Sequence, residues 1–184
     1  MAQPVILHSL SQIEAYRQRI EANLSETMNA LRESLKSEAP FAFFQKLKYD
    51  KLAKEPISGT PENLLEAVNQ CQTYLVSLCG AEYLIQRHPG KTFLVNWGNV
   101  AGYDLEAADS SIVAECFAAT SYRSNGKLHA DLKRLEANQT SQEKYEFFFA
   151  PDFTQGQLQY YTRKYPHIHI VHFSQQELSP SMRP

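Results

Sequence analysis

Acidic residues gather in the middle of the chain without basic neighbours. No lysine or arginine lies between Lys91 and Arg123. The same stretch holds four acids, namely Asp104, Glu106, Asp109 and Glu115. Clustered carboxylates repel one another, and hard divalent cations prefer carboxylate oxygens as ligands. The stretch therefore indicates a cation site, although Glu106 and Asp109 are explained more simply as the solvated end of a hairpin.

Asp104 and Glu115 are the stronger candidates because of the residues that flank them. Glu115 lies within the apolar run 112–118, which is typical of a strand covered on both faces. A carboxylate in that position is costly unless it is paired or bound to a metal. Asp104 lies in the preceding strand, and a turn near Ser110 would bring the two acids together. Alternatively, each is a buried acid that caps a loop or pairs with a distant arginine.

Helices and strands predicted from the sequence would position these two acids. A capping-box pattern at Ser11 opens a long helix to about Lys36. Its apolar stripe comprises Ile13, Ile20, Leu24, Leu31 and Leu35. Thr60-Pro61-Glu62 predicts the start of a second helix, which runs towards Arg87. Further strands are predicted at 92–97, 101–107, 111–119, 145–150 and 167–173, with helices from 124 and over 155–164.

The order of these elements predicts the fold class. The first three strands have short links and favour an antiparallel meander, whereas the later strands alternate with helices and favour parallel crossovers. We therefore expect an α/β fold with a mixed central sheet flanked by helices. The expected divisions are an N-terminal helical appendage (1–59), an α/β core (60–175) and a flexible tail (176–184).

Composition narrows the cellular setting and the classes of partner. The chain has 184 residues, a net charge of −2, and three cysteines without a CxxC pair. An odd number of cysteines suits a reducing compartment. The sequence shows no signal pattern and no run of apolar residues long enough for a membrane span. A cytoplasmic location is expected, and the one-sided N-terminal helix could pack on the domain or form a homodimer.

The residues around both acids resemble a known signature. Gly-Tyr-Asp104-Leu-Glu and Val-Ala-Glu115-Cys-Phe are similar to the Asp…(Asp/Glu)-x-Lys motif of the PD-(D/E)XK nuclease superfamily. The predicted element order over 60–150 also resembles that family's core. The resemblance implies a restriction endonuclease-like core with Mg²⁺ (or Mn²⁺) held by Asp104 and Glu115, assisted by the Cys116 carbonyl. Some nucleases of this type add an acid from the first helix to the metal site, which would make Glu82 an additional metal ligand; alternatively, the helical stripe rotates past Gly80 and exposes Glu82.

One position departs from the family pattern, and the departure leaves two functions open. Phe117 stands where the motif has lysine, and Lys127, at the start of the next helix, could supply the missing charge. With Lys127 as a catalytic residue, the resemblance implies a metal-dependent DNA endonuclease of restriction or defence type. Without it, the chain would be a non-catalytic nucleic-acid-binding or protein-interaction module. A basic and aromatic surface could contact a phosphate backbone; alternatively, the same residues form an ordinary solvated helix face. Its candidate residues are Lys127, His129, Lys133, Arg134, Arg163 and Lys164.

Overall fold

A computed structural model describes residues 4–98 and 101–179. They form two compact units. The first unit contains the described residues up to Ile13 and from Thr73 onward, and the second is Glu14–Gln72. The division expected between residues 59 and 60 falls inside the second unit.

The helices and strands follow one another along the chain as a mixed α/β series. In order they are β1 (Val5–Leu7), α1 (Leu10–Ser37), α2 (Pro40–Tyr49), β2 (Ala53–Lys54), β3 (Pro61–Glu62), α3 (Leu64–Arg87), β4 (Phe93–Val95), β5 (Leu105–Ala107), β6 (Ile112–Ala118), α4 (Lys127–Ala137), β7 (Glu143–Phe149), α5 (Gln155–Lys164), β8 (His169–His172) and α6 (Gln175–Leu178). A short 3-10 turn, Ser124–Gly126, precedes α4.

A six-stranded sheet in the order β1-β4-β5-β6-β7-β8 organises the first unit. The neighbours from β1 to β6 are antiparallel, whereas β6, β7 and β8 are parallel. The predicted mixed sheet, with a meander followed by parallel crossovers, is therefore confirmed. Sequence patterning missed β1, because its three residues belong to no longer strand-like segment, whereas β4 and β5 fall within the longer predicted strands 92–97 and 101–107.

Helices pack on both faces of this sheet. On one face, the leucine stripe of α4 joins β6 and β7 in a buried core. That core includes Val113, Phe117, Leu128, Leu132, Leu135, Phe148, Phe153 and Ile168. On the other face, α3 approaches closely through Gly80, which lies against the side chains of Leu105 and Phe147. Because side chains alternate along a strand, Leu105 and Phe147 point away from the α4 face.

The second unit differs from the sequence expectations in several local features. Thr60–Glu62 does not begin a helix, because Pro61–Glu62 pairs with β2 and Asn63 caps α3 through the Glu66 backbone N–H at 3.0 Å. Leu35, expected in the buried stripe of α1, is 62% exposed. Polar Thr27 is buried in that helix and accepts a hydrogen bond from the Lys54 backbone N–H.

The helix and chain ends also depart from the predictions. Ser9 rather than Ser11 caps α1, since its Oγ accepts from the Gln12 backbone N–H at 3.4 Å. The start of the expected flexible tail is instead helix α6, with a capping box between Ser174 and Glu177. Its last residue, Leu178, is buried. Residues 180–184 of the expected tail lie outside the described part of the chain.

Within the described ranges, none of the helices has the length and apolar character that crossing a membrane requires.

The close approach of α3 to the sheet predicts the effect of adding one methyl group. A Cβ at Gly80 would lie 2.8 Å from the Phe147 ring and 3.1 Å from Leu105. Both side chains are fully buried, so the ring cannot swing into solvent. Overpacking costs about 1–3 kcal/mol and opposes the roughly 1 kcal/mol gain in helix propensity. We expect Gly80→Ala to lower the free energy of unfolding in urea by about 1 kcal/mol.

Gly156 in α5 is the matched control for this substitution. Its added Cβ would meet only the Thr154 hydroxyl, at 3.9 Å. Gly156→Ala should therefore be neutral or stabilise the protein by up to about 1 kcal/mol. Equal effects of the two substitutions would contradict the described contact between α3 and the sheet.

Candidate functional site

The structure brings Asp104 and Glu115 together on one face of the sheet. Leu105 pairs with Ala114, so continuing the antiparallel register places Asp104 opposite Glu115. Asp104 Oδ2 accepts from the Cys116 backbone N–H at 2.7 Å, and the carboxyl groups of Asp104 and Glu115 lie close enough for each to shift the pKa of the other. Glu115 is 1% exposed. Repulsion between two ionised carboxylates at this range favours a proton on one of them.

Helix α4 covers the acid pair and places two cations at its edge. Lys127 Nζ lies 2.7 Å from Asp131 Oδ1, and Arg134 Nη1 lies 2.6 Å from Glu115 Oε1. Both cationic side chains are about half exposed, at 45% and 48%. Their positions follow from helical spacing, because residues 127, 131 and 134 lie on one stripe of α4.

Arg134 also fixes the chain segment that leads into Asp104. Its Nη2 donates to the Gly102 carbonyl at 2.6 Å, and its guanidinium carbon lies 4.6 Å from the centre of the Tyr103 ring. From the other side, the Asn96 side-chain amide donates to the Tyr103 carbonyl at 2.6 Å. Arg134 therefore holds Asp104 indirectly, through Gly102 and Tyr103, and Glu115 directly.

A fully buried acid from β7 and a buried acid from α4 complete the group. Glu146 on β7 pairs with Glu115 across the parallel ladder and is fully buried. Neither carboxylate oxygen of Glu146 has a hydrogen-bond partner, and Asp131 Oδ2 also lacks one. We call Asp104, Glu115, Asp131 and Glu146 the carboxylate cluster.

Burial and mutual repulsion favour protonation within the carboxylate cluster. Burial, followed by the charge of Asp104, raises the pKa of Glu115 to about 8. Burial likewise raises the pKa of Asp104 and Asp131, although Lys127 opposes both shifts. Burial raises the pKa of Glu146 well above its ordinary value, and the charges of Asp131 and Glu115 add to the effect.

The two cations carry too little charge to balance the cluster. Lys127 and Arg134 supply two positive charges against four potential negative charges, which explains why the cluster retains protons. The pKa of Lys127, although lowered by burial, is raised overall by its hydrogen bond to Asp131 and by nearby carboxylates. Lys127 therefore remains charged at neutral pH.

The carboxylate oxygens of the cluster fit a hard divalent cation, but the number of carboxylates that could bind it is limited. Carboxylate oxygens that lack hydrogen bonds and carry surplus negative charge are suited to Mg²⁺ or Mn²⁺. No group of three or more His, Cys, Asp or Glu side chains that could hold a metal ion is found among the described residues. A cation here would therefore use at most two carboxylates. One or two is the usual number for Mg²⁺, which keeps several waters.

Of the four predicted metal ligands, the structure brings only Asp104 and Glu115 together by their side chains. Cys116 adjoins them through its backbone N–H, while its thiol is buried, and burial raises the pKa of that thiol. Glu82 lies on α3, which packs on the face of the sheet opposite to that of Asp104 and Glu115. The structure therefore does not bring Glu82 to this group.

Phe117, at the position of the family's lysine, belongs to the core between α4 and the sheet. Its ring stacks on Phe148 with centroids 5.2 Å apart, and only 4% of the residue is exposed. A lysine here would bury its ammonium among the leucines of α4. Lys127 instead brings a positive charge to the edge of the cluster, with its hydrogen bond directed to Asp131.

Sequence reasoning missed two members of this site, Asp131 and Glu146, and assigned a third, Arg134, to a phosphate-binding surface rather than to the acids. Glu146 lies within the aromatic strand Glu143–Phe149, so it carried the same signal that singled out Glu115, an acid in an apolar strand. Asp131 and Arg134 could have been found from their spacing of four and seven residues after Lys127. That spacing places them beside the leucine stripe of α4, at the border of the core.

The raised pKa of Glu115 predicts how stability depends on pH. Its ordinary pKa is 4.5, so between about pH 4.5 and 8 the folded protein holds a proton that the unfolded chain has released. The stabilisation is fully present below pH 4.5 and is lost as pH rises towards 8. Between about pH 4.5 and 8, the free energy of unfolding should fall less steeply with pH in Glu115→Gln than in the wild type. The difference in slope should be up to about 1.4 kcal/mol per pH unit. Urea unfolding at several pH values measures the slope.

Glu136→Gln is the control, because it removes an exposed carboxyl from the same helix, α4. Titrating groups outside the carboxylate cluster remain unchanged in both variants, so their contribution cancels. A Glu115→Gln slope equal to that of the wild type would show that Glu115 does not hold the proton.

The chain was compared with protein-family models, curated proteins and solved structures, and none of the three comparisons gave a match.

Proposed function

We propose that this protein is a Mg²⁺- or Mn²⁺-dependent endonuclease that acts on DNA phosphodiester bonds, of restriction or defence type, on a restriction endonuclease-like core. The observation that carries the proposal is the placement of Asp104, which is half-buried, opposite the fully buried Glu115 on one face of the sheet, under a surplus of negative charge. A structural acid pair gains nothing from further acids nearby, whereas the added negative charge of such acids attracts a cation to the site.

The proposed roles follow from the contacts of each side chain. Asp104 and Glu115 would supply carboxylate oxygens to the cation. When bound, such a cation polarises a phosphoryl oxygen and lowers the pKa of a bound water. Lys127 is half exposed and remains charged, so it can meet a phosphate group at the edge of the site. Asp131 would position Lys127, and Arg134 would position Glu115.

A proton must leave the site before the acid pair can hold a cation. Glu115 holds that proton at neutral pH, because burial and the charge of Asp104 raise its pKa to about 8. Cation binding at neutral pH would therefore release a proton, and cation affinity would rise with pH.

The second candidate function is a non-catalytic nucleic-acid-binding or protein-interaction module on the same fold. Two observations favour it. Phe117 occupies the position of the motif lysine within the packed core. Arg134 already lies 2.6 Å from Glu115 and could replace a cation permanently. In such a module, the carboxylate cluster would be a structural feature that stays protonated.

Cation binding distinguishes the two candidates without a substrate. We expect Mn²⁺ titrated into the protein to release close to one proton per ion at pH 7 and fewer at pH 9 (both approximate, from a pKa of about 8). Calorimetry in two buffers of different ionisation enthalpy measures the released protons. Asp104→Asn should abolish the binding, whereas Glu136→Gln should leave it unchanged. Absence of any Mn²⁺ binding would favour the non-catalytic module.

Cleavage tests the role of Lys127. With Mg²⁺ or Mn²⁺ and DNA substrates, Lys127→Ala should reduce the cleavage rate roughly a hundredfold, because one positioned charge in a transition state contributes about 3 kcal/mol. DNA affinity and folding should be nearly intact. Lys36→Ala, which removes an exposed lysine from α1, outside the candidate phosphate-binding surface, is the matched control. RNA substrates in the same assay establish the choice of nucleic acid.

Either of two results would count against this mechanism. Cleavage by Lys127→Ala at the wild-type rate would remove Lys127 from the reaction. Failure of the wild type to cleave any substrate or to bind metal would make the non-catalytic module the better explanation.

A further inference from the structure

A shallow depression of about 340 Å³ lies on the exposed face of α5. It is lined by Gly156, Tyr160, Arg163 and Lys164. Positions 156, 160, 163 and 164 follow helical spacing, so their side chains share one face of α5. Gly156 keeps one end of the depression open, since a Cβ there would meet only the Thr154 hydroxyl, at 3.9 Å. We call this surface the α5 face.

The α5 face carries positive charge that nearby acids do not neutralise. The chain has no Asp or Glu between Asp152 and Glu177, although the protein as a whole has a net charge of −2. Within the described part of the chain, neither Arg163 nor Lys164 belongs to any ion pair. Unpaired cations in an acid-free segment are complementary to a polyanion.

Aromatic rings alternate with these cations. Lys164 Nζ lies 5.9 Å from the centre of the Tyr160 ring and 5.4 Å from that of Tyr165. Tyr160 is 58% exposed, so one side of its ring is open to a ligand. Tyr165 Oη lies 3.4 Å from His129 Nδ1, which connects the α5 face to α4, the helix of Lys127.

We propose that the α5 face binds single-stranded nucleic acid, with Arg163 and Lys164 on phosphates and the Tyr160 ring stacked on a base. This inference deepens the proposed function and relies on it for the class of substrate. An exposed ring beside unpaired cations suits a strand whose bases are unstacked. A membrane surface fits poorly, because the other exposed residues of α5 are polar or glycine and an interfacial helix needs an apolar face.

Fluorescence anisotropy with a labelled single-stranded DNA of mixed sequence, about 16 nucleotides long, tests the proposal. EDTA is present throughout, so that neither cation binding nor cleavage contributes. Tyr160→Ala should weaken binding roughly tenfold through lost stacking, whereas Tyr160→Phe should bind as the wild type does. Arg163→Gln with Lys164→Gln should weaken binding and reduce the slope of log K against log salt by about 1.4, for two lost phosphate contacts.

Arg32→Gln with Lys36→Gln is the matched control, since it removes two exposed charges from α1. This control should retain the affinity and salt slope of the wild type. An unchanged salt slope for the Arg163 and Lys164 double variant would overturn the inference. Binding to vesicles rich in phosphatidylserine, without binding to DNA, would also overturn it.

Failure of this inference and failure of the proposed function give different results. If the wild type cleaves DNA but the α5 variants bind it normally, the inference fails and the proposed function stands. If the wild type binds single strands through the α5 face but neither binds metal nor cleaves, the endonuclease proposal fails. The protein would then be a nucleic-acid-binding module, and the inference would stand.

Discussion

The surplus of buried carboxylates between the sheet and α4 is the constraint on which the rest of the candidate site depends. Four acids meet there, and Lys127 and Arg134 supply only two compensating charges. Charges of one sign cannot all remain ionised at short range in a poorly solvated place, so the cluster must hold protons or attract cations. Every property proposed for this site, from proton release to metal binding, follows from that imbalance.

Helix α4 both closes the core and carries the charges of the candidate site. One stripe carries the leucines that close the core over β6 and β7, and the neighbouring stripe carries the charges that reach the acids. Ahead of the helix, Asn125 and Gly126 both have positive φ values, which asparagine and glycine tolerate better than other residues. This tight turn starts α4 soon after β6 and places Lys127 at the edge of the cluster. A shift of the helix by one residue would move both stripes together.

The two candidate functions differ in what neutralises the acid pair. In an endonuclease, a divalent cation would take over that task from the proton, and Arg134 would only orient Glu115. In a non-catalytic module, the proton and Arg134 would be sufficient. The α5 face is compatible with both, because it depends on phosphate charge and base stacking rather than on a cation. Nucleic-acid binding and cleavage are therefore separable properties of this chain.

The sequence by itself determined the α/β class, the mixed sheet and the pairing of Asp104 with Glu115. Those features depend on local patterns: apolar periodicity, short links between strands, and an acid inside an apolar run. Tertiary structure decided the rest. Parallel pairing of β7 with β6 places Glu146 beside Glu115, whereas Glu82 lies on α3, which packs on the opposite face of the sheet. Neither relation can be recognised from a local sequence pattern, because one depends on which strands pair and the other on which face of the sheet a helix covers.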